Sequence, residues 1–190
     1  MWKQSIKKFY RDSKKMINIV IITSNGIRHK YFSAMFSKSK HINIKKIYIE
    51  DNSDYKKNTN KLSNLEIKHY KVREQTEYDF FSDIIDQIDS QININEVRID
   101  DINNEKYLNE LKEIKPDFII TYGCSIIKSD ILKVFRNKIL NVHLGISPYY
   151  LGSGTNFISM LNNDFQCVGY TFMYMDSGVD TGEIIHQSRA

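Results

Sequence analysis

The sequence is poor in the residues that turn or cross-link a chain. Of its 190 residues two are proline, Pro116 and Pro148, and two are cysteine, Cys124 and Cys167. Two thiols cannot make a disulfide framework or a four-thiolate metal site, and the histidine spacing suggests no metal either. No window approaches about 18 uninterrupted apolar residues, so no membrane-spanning helix is expected. The first 15 residues, MWKQSIKKFYRDSKK, lack the apolar stretch of a secretory signal. A cytoplasmic location follows as the expectation. Gly26 is the only glycine before position 120 and has no partner glycines, which excludes a dinucleotide fingerprint and a phosphate loop. Acidic excess is also missing. The formal charge is +4 and the pI about 8.9. Six of the basic residues fall in the first 15 positions, which read as a basic, solvated tail ahead of a domain over residues 16–190. Trp2, Phe9 and Tyr10 in that tail form no recognisable RNA-stacking module, so nucleic acid is an unlikely partner, and so is a membrane.

What is present fits a soluble globular domain: 41% hydrophobic and 26% charged residues. Ile17–Thr23 (INIVIIT) is a short β-branched run suited to a strand covered on both faces. Residues 28–39 place Tyr31, Phe32, Met35 and Phe36 at helical spacing. Residues 44–49 read as a second strand, 51–64 as a polar loop, and 65–70 as a short strand. Helical stripes follow over 78–88 and 104–114, the latter stopped by Pro116. Residues 117–121 read as a strand, 125–135 as a helix, and 138–143, 169–175 and 183–187 as strands. Strands alternating with helices predict an α/β, Rossmann-like, mostly parallel sheet with helices on both faces.

The other seven glycines all lie between Gly123 and Gly182, so the second half is where backbone turns sharply or approaches something closely. Two stretches there follow strand-like runs: NVHLGISPYYLGSGTNF from Asn141 and MDSGVDTGEII from Met175. In open α/β sheets such junctions border the ligand crevice. Asn141 and His143 are two apart and share one face of a strand. An amide beside an imidazole suits acyl transfer, the amide N–H binding a developing oxyanion and the imidazole moving a proton. Asp180 would orient that imidazole if the fold brings it close. Such a pair at a strand end is also common as plain structure, and Asp-x-Gly stretches are mostly turns. Arg28 and His29 follow the first strand at the crevice edge, as a phosphate contact or a solvated helix start. His29, His41 and His69 sit in polar surroundings and read as surface residues. Cys124 reads as a buried inert thiol and Cys167 as core.

These two stretches resemble the folate-dependent formyltransferases that act on glycinamide ribonucleotide, methionyl-tRNA or nucleotide-linked sugars. Asn141, His143 and Pro148 fit the Asn-x-His-x-x-x-x-Pro segment of that family. Asp180, Thr181 and Gly182 fit its Val-Asp-Thr-Gly-like turn. The resemblance is strongest from about Tyr122 to Ile185. It implies a formyltransferase fold and formyl transfer from 10-formyltetrahydrofolate to an amine through a tetrahedral intermediate, without a metal. Asn141 would hold the oxyanion, His143 would move protons, and Asp180 would hold the imidazole and an ordered water. The strip Gly123, Cys124, Ser125, Ile126 and Ile127 matches the place where relatives bind the folate head group. Asp176 and Val179 would close the other side of that pocket. Pro148 sits in the loop after the histidine. A trans bond is the general expectation, and the resemblance admits a cis one. Tyr149 and Tyr150 would shape the acceptor entrance.

Departures from the family narrow the acceptor. The first-strand loop, Thr23 to Arg28, has one glycine where glycinamide ribonucleotide enzymes carry a glycine/serine phosphate loop. Methionyl-tRNA enzymes add a C-terminal RNA-binding domain, and with the sequence ending at Ala190 none is expected here. A small, anionic, nucleotide-linked amino sugar of surface-polysaccharide synthesis is the remaining expectation. The alternatives are the other two acceptors, or a non-catalytic folate- or nucleotide-binding module. Family members continue beyond the point where this sequence stops, so a C-terminally short sheet is expected, with exposed edges that suit a homodimer.

Overall fold

The computed structural model describes residues 16–51, 63–85 and 92–190. The basic tail and most of the polar 51–64 loop fall outside them. Seven strands form one sheet in the order β3-β2-β1-β4-β5-β6-β7. They are β1 (Ile17–Ser24), β2 (Ile42–Asp51), β3 (Ile94–Arg98), β4 (Phe118–Tyr122), β5 (Ile139–His143), β6 (Gly169–Tyr174) and β7 (Ile184–Arg189). β1 to β5 pair in parallel, while β6 and β7 add antiparallel. The helices are α1 (Ile27–Ser37), α2 (Asn64–Ile85), α3 (Glu105–Ile114), α4 (Ser129–Val134) and α5 (Thr155–Leu161).

The alternation within the strands explains the two layers. On β1, Val20 and Ile22 join Tyr48, Tyr107, Leu111, Ile119 and Ile131 in one core, beneath α3 and α4. Ile19 and Ile21 point the other way and join Ile47, Ile49 and Ile120, with Phe32 and Phe36 of α1 packed against them. All four β1 side chains are at most 2% exposed, so the strand is apolar on both faces because both faces are covered. α3 ends where the sequence predicts. Lys115 takes the left-handed conformation at φ 50° and its N–H closes on the Leu111 carbonyl at 3.1 Å, and Pro116 cannot continue the helix.

Several expectations are corrected. Residues 65–70 are not a strand but the first turns of α2, which continues through 78–85. That helix packs on α1 through the Tyr31 and Phe81 rings and the Arg28–Glu77 ion pair at 2.5 Å. The helix expected over 125–135 begins only at Ser129, because residues 123–128 are held in an irregular strip. β3 and α5 escaped the sequence reading. The strand order reverses direction between β1 and β4, which opens a crevice beyond the C-terminal ends of the parallel strands.

Candidate active site

β5 carries Asn141 and His143 on one face, as their spacing requires. The turn between β6 and β7 delivers Asp180 to the same place, 39 residues along the chain from Asn141. Two local features make that turn. Asp180 itself is left-handed at φ 54°, a conformation aspartate tolerates. Gly182 passes so close to the sheet that a Cβ would stand 1.7 Å from the Tyr174 carbonyl oxygen. Asp176 braces the turn, accepting from Gly178 N at 2.9 Å and from Thr181 Oγ1 at 2.8 Å.

The three side chains converge. Asn141 Nδ2 donates to Asp180 Oδ1 at 2.8 Å. His143 Nδ1 lies 3.1 Å from Asp180 Oδ2, which also accepts from Gly152 N at 2.8 Å. His143 Nε2 is 2.8 Å from the Tyr150 carbonyl oxygen. Both ring nitrogens therefore face acceptors within hydrogen-bond distance, which fixes the plane and position of the ring. His143 is 5% exposed, so the ring is fixed by its neighbours rather than by solvent. Thr121, opposite Asn141 in the β4–β5 ladder, brings Oγ1 within 3.1 Å of Asn141 Oδ1. With the amide oxygen facing Thr121 and the amide nitrogen facing Asp180, the orientation of Asn141 is set by the network. One of its two N–H protons is used by Asp180 and the second is left for a ligand.

This cluster lies in a cleft of about 370 Å³. One wall is the strip Gly123, Cys124, Ser125, Ile126 and Ile127. The opposite wall includes Asp176, Val179 and Asp180, and Arg28 and His29 sit at its edge. Ile126 is 69% exposed while Ile127 is buried, so the strip is seated by one isoleucine and offers the other. A flat heteroaromatic ring needs such an apolar surface beside backbone polar groups, and the strip lies outside any ladder. Cys124 is half-buried rather than fully buried, and its thiol is pushed up to about 12, by desolvation first and then by the Glu50 carboxylate, which keeps it protonated. Burial also raises the Tyr122 phenol, which Arg28 partly offsets.

His29 is not a surface residue. It is 6% exposed, its ring 4.7 Å from that of Tyr122 and packed so tightly on Gly123 that a Cβ there would stand 2.3 Å from His29 Nε2. Tyr149 and Tyr150 do not line the cleft. The Ser147–Pro148 bond is cis, and the Tyr149 and Tyr150 N–H groups both close on Ile146 O. Both tyrosines line a separate cavity with Asp164 and Arg189, and Pro148 lines neither. Tyr150 reaches the cluster through its backbone oxygen alone. Thr121 and Glu50 were missed because a buried threonine in DFIIT and a glutamate in IYIED read as ordinary strand residues.

The sequence model of one family, described as formyl transferase, matches residues 17–190. A methionyl-tRNA formyltransferase of Finegoldia magna is 38% identical over 97 residues, which is 50% of this chain and 31% of that protein. The match thus spans about a third of that relative. Two solved structures share the fold. A phosphoribosylglycinamide formyltransferase from Anaplasma phagocytophilum superposes with TM-score 0.61 at 17% identity, over 91% of this chain and 71% of that one. Its counterpart from Streptococcus pneumoniae TIGR4 gives 0.60 at 16% identity, over 92% and 82%.

Proposed function

The chain belongs to the formyl transferase family, and from that premise we propose that it moves a formyl group from 10-formyltetrahydrofolate to a primary amine. The observation that carries this reading is the convergence of Asn141, His143 and Asp180 beside a cleft with an apolar wall. The amine lone pair attacks the formyl carbon, a C–N bond forms, and the carbonyl oxygen takes the negative charge. The second N–H of Asn141 meets that oxygen. The bond from the formyl carbon to the folate nitrogen then breaks, and the proton lost by the amine is returned to that nitrogen. His143, bracketed by Asp180 and the Tyr150 carbonyl, holds and moves the proton. Asp180 fixes the imidazole and the Asn141 amide together and offsets the positive charge that develops on the ring as it takes up the proton. The strip 123–127, with Asp176 and Val179 opposite, holds the donor's head group.

For the acceptor, the finer reading is a nucleotide-linked amino sugar. It is supported by the single glycine between Thr23 and Arg28, by Arg28 and His29 at the cleft edge, and by a cleft of small-molecule size. The 38% identity to a methionyl-tRNA enzyme favours a second reading, with tRNA as acceptor. Incubation with the donor and a panel of amino-sugar nucleotides, glycinamide ribonucleotide and methionyl-tRNA, read by mass spectrometry, separates them. A formamide on a sugar nucleotide is the expected product. A formylated methionyl-tRNA alone would overturn the sugar reading, and donor binding with no product from any amine would overturn the reaction.

A further inference from the structure

Glu50 is the penultimate residue of β2, at the C-terminal end of the parallel strands, and is 1% exposed. Burying a carboxylate is costly unless it is hydrogen-bonded or paired. Its partners here are neutral donors: Ser125 N on Oε2 at 2.5 Å, Ser125 Oγ on Oε1 at 2.6 Å, and Asp100 N on Oε1 at 3.2 Å. Two of the three lie in the strip 123–127, reached from β2 across the intervening β1. A second brace comes from the 3-10 turn Asp101–Asn103. Asn103 Nδ2 donates to Ile126 O at 3.0 Å, and Lys128 N donates to Asn103 Oδ1 at 2.7 Å. Ile127 fills the core beneath. Every residue from Ser125 to Lys128 is thereby tied from below, and the Ile126 side chain is left facing outward. The strip is a stretch of the cleft wall without a ladder, and these ties are what keep it from starting α4 early.

We propose that Glu50 and Asn103 are positioning residues that hold the strip in its ligand-ready shape, and so set the affinity for the folate donor. The inference rests on the donor reading above. It assigns the carboxylate a role that filling the core would not need, because both its oxygens are acceptors for the strip or for the turn that braces it. An amide at position 50 keeps the size and loses one acceptor. Its N–H₂ then faces the Ser125 N–H or the Asp100 N–H, donor against donor.

The test is tetrahydrofolate binding by calorimetry together with steady-state kinetics, on wild type, Glu50→Gln, Asn103→Ala and Ser125→Ala. Losing a hydrogen bond to a charged group typically corresponds to about a tenfold or larger change in affinity. We expect the tetrahydrofolate Kd and the donor KM to rise together by about 10-fold in Glu50→Gln, with smaller rises in Asn103→Ala and Ser125→Ala. In Glu50→Gln and Asn103→Ala the acceptor KM should stay put and kcat at saturating donor should stay within about threefold. Lower thermal stability with unchanged donor KM and Kd would make Glu50 a purely structural group and overturn the inference. So would a fall in kcat with the donor terms untouched. Should Glu50→Gln fail to fold, Asn103→Ala carries the same decision. Wild type that binds no tetrahydrofolate would refute the donor reading and the inference with it, whereas wild-type binding with indifferent variants refutes the inference alone.

Discussion

Asp180→Asn is the sharpest perturbation of the site because it keeps the shape and changes only the pattern of donors. The carboxylate accepts three hydrogen bonds, from Asn141 Nδ2 at 2.8 Å, Gly152 N at 2.8 Å and His143 Nδ1 at 3.1 Å. An asparagine has one acceptor oxygen and one donor nitrogen. If its oxygen keeps His143 and Gly152, its N–H₂ faces the N–H₂ of Asn141. If it turns over, it faces the ring N–H and the Gly152 N–H instead. Turning Asn141 to match would break the bond from Thr121 Oγ1 to its amide oxygen and reverse the amide that the reaction uses. Each charge-assisted bond lost contributes about 1.5–3 kcal/mol. At about 1.4 kcal/mol per factor of ten, loss of one or two lowers the rate roughly 10- to 10,000-fold. The assay is continuous release of tetrahydrofolate at saturating donor and acceptor, with folding checked by circular dichroism. A kcat lowered by about 100-fold or more is expected. A folded variant within about threefold of wild type would show that the carboxylate does not organise the reaction.

Other substitutions probe separate links. Thr121→Val removes the group that orients the Asn141 amide, and kcat should drop about 2- to 10-fold with the acceptor KM unchanged, measured in the same assay. Cys124 should escape alkylation at pH 8 in the native protein and react once unfolded, mapped by peptide mass spectrometry, because its thiol is pushed up to about 12. The same shift has a stability consequence. The folded state favours the neutral thiol, so this contribution is intact below the ordinary value of 9.0 and is lost as pH rises from there toward about 12. Denaturation in urea across that range should show a decline that Cys124→Ala lessens. Leu111→Ala, in a fully buried position, should cost about 2–5 kcal/mol by urea denaturation while leaving the kinetics of the folded fraction unchanged.

The sequence was most legible where one local rule decides. INIVIIT reads as a doubly covered strand because Ile19 to Ile22 are apolar on both faces. Pro116 stops α3 wherever the helix packs. The two-residue spacing of Asn141 and His143 needs only a strand to put them on one face. Legibility failed where tertiary contacts overrule local pattern. Residues 65–70 alternate like a strand, yet Leu65 is 77% exposed and the segment is helical because its continuation packs on α1. β3 (INEVR) buries little besides Val97, so it looks polar and lies at the sheet edge. His29 sits in a polar stretch of sequence and is buried because two glycines, Gly26 and Gly123, make room for its ring. The strip 123–128 carries a helical pattern that Glu50 and Asn103 interrupt from elsewhere in the chain. The meeting of Asp180 with β5 depends on a turn whose reach no spacing rule gives.

The most direct test of the account is a single-turnover transfer from an isotope-labelled formyl donor to an amine, comparing wild type with Asn141→Ala and His143→Ala. The account predicts labelled formamide from wild type at a rate that falls about 100- to 1,000-fold in each variant, with tetrahydrofolate binding retained. Label appearing in the product at near wild-type rate in His143→Ala, or label released only as free formate, would contradict it.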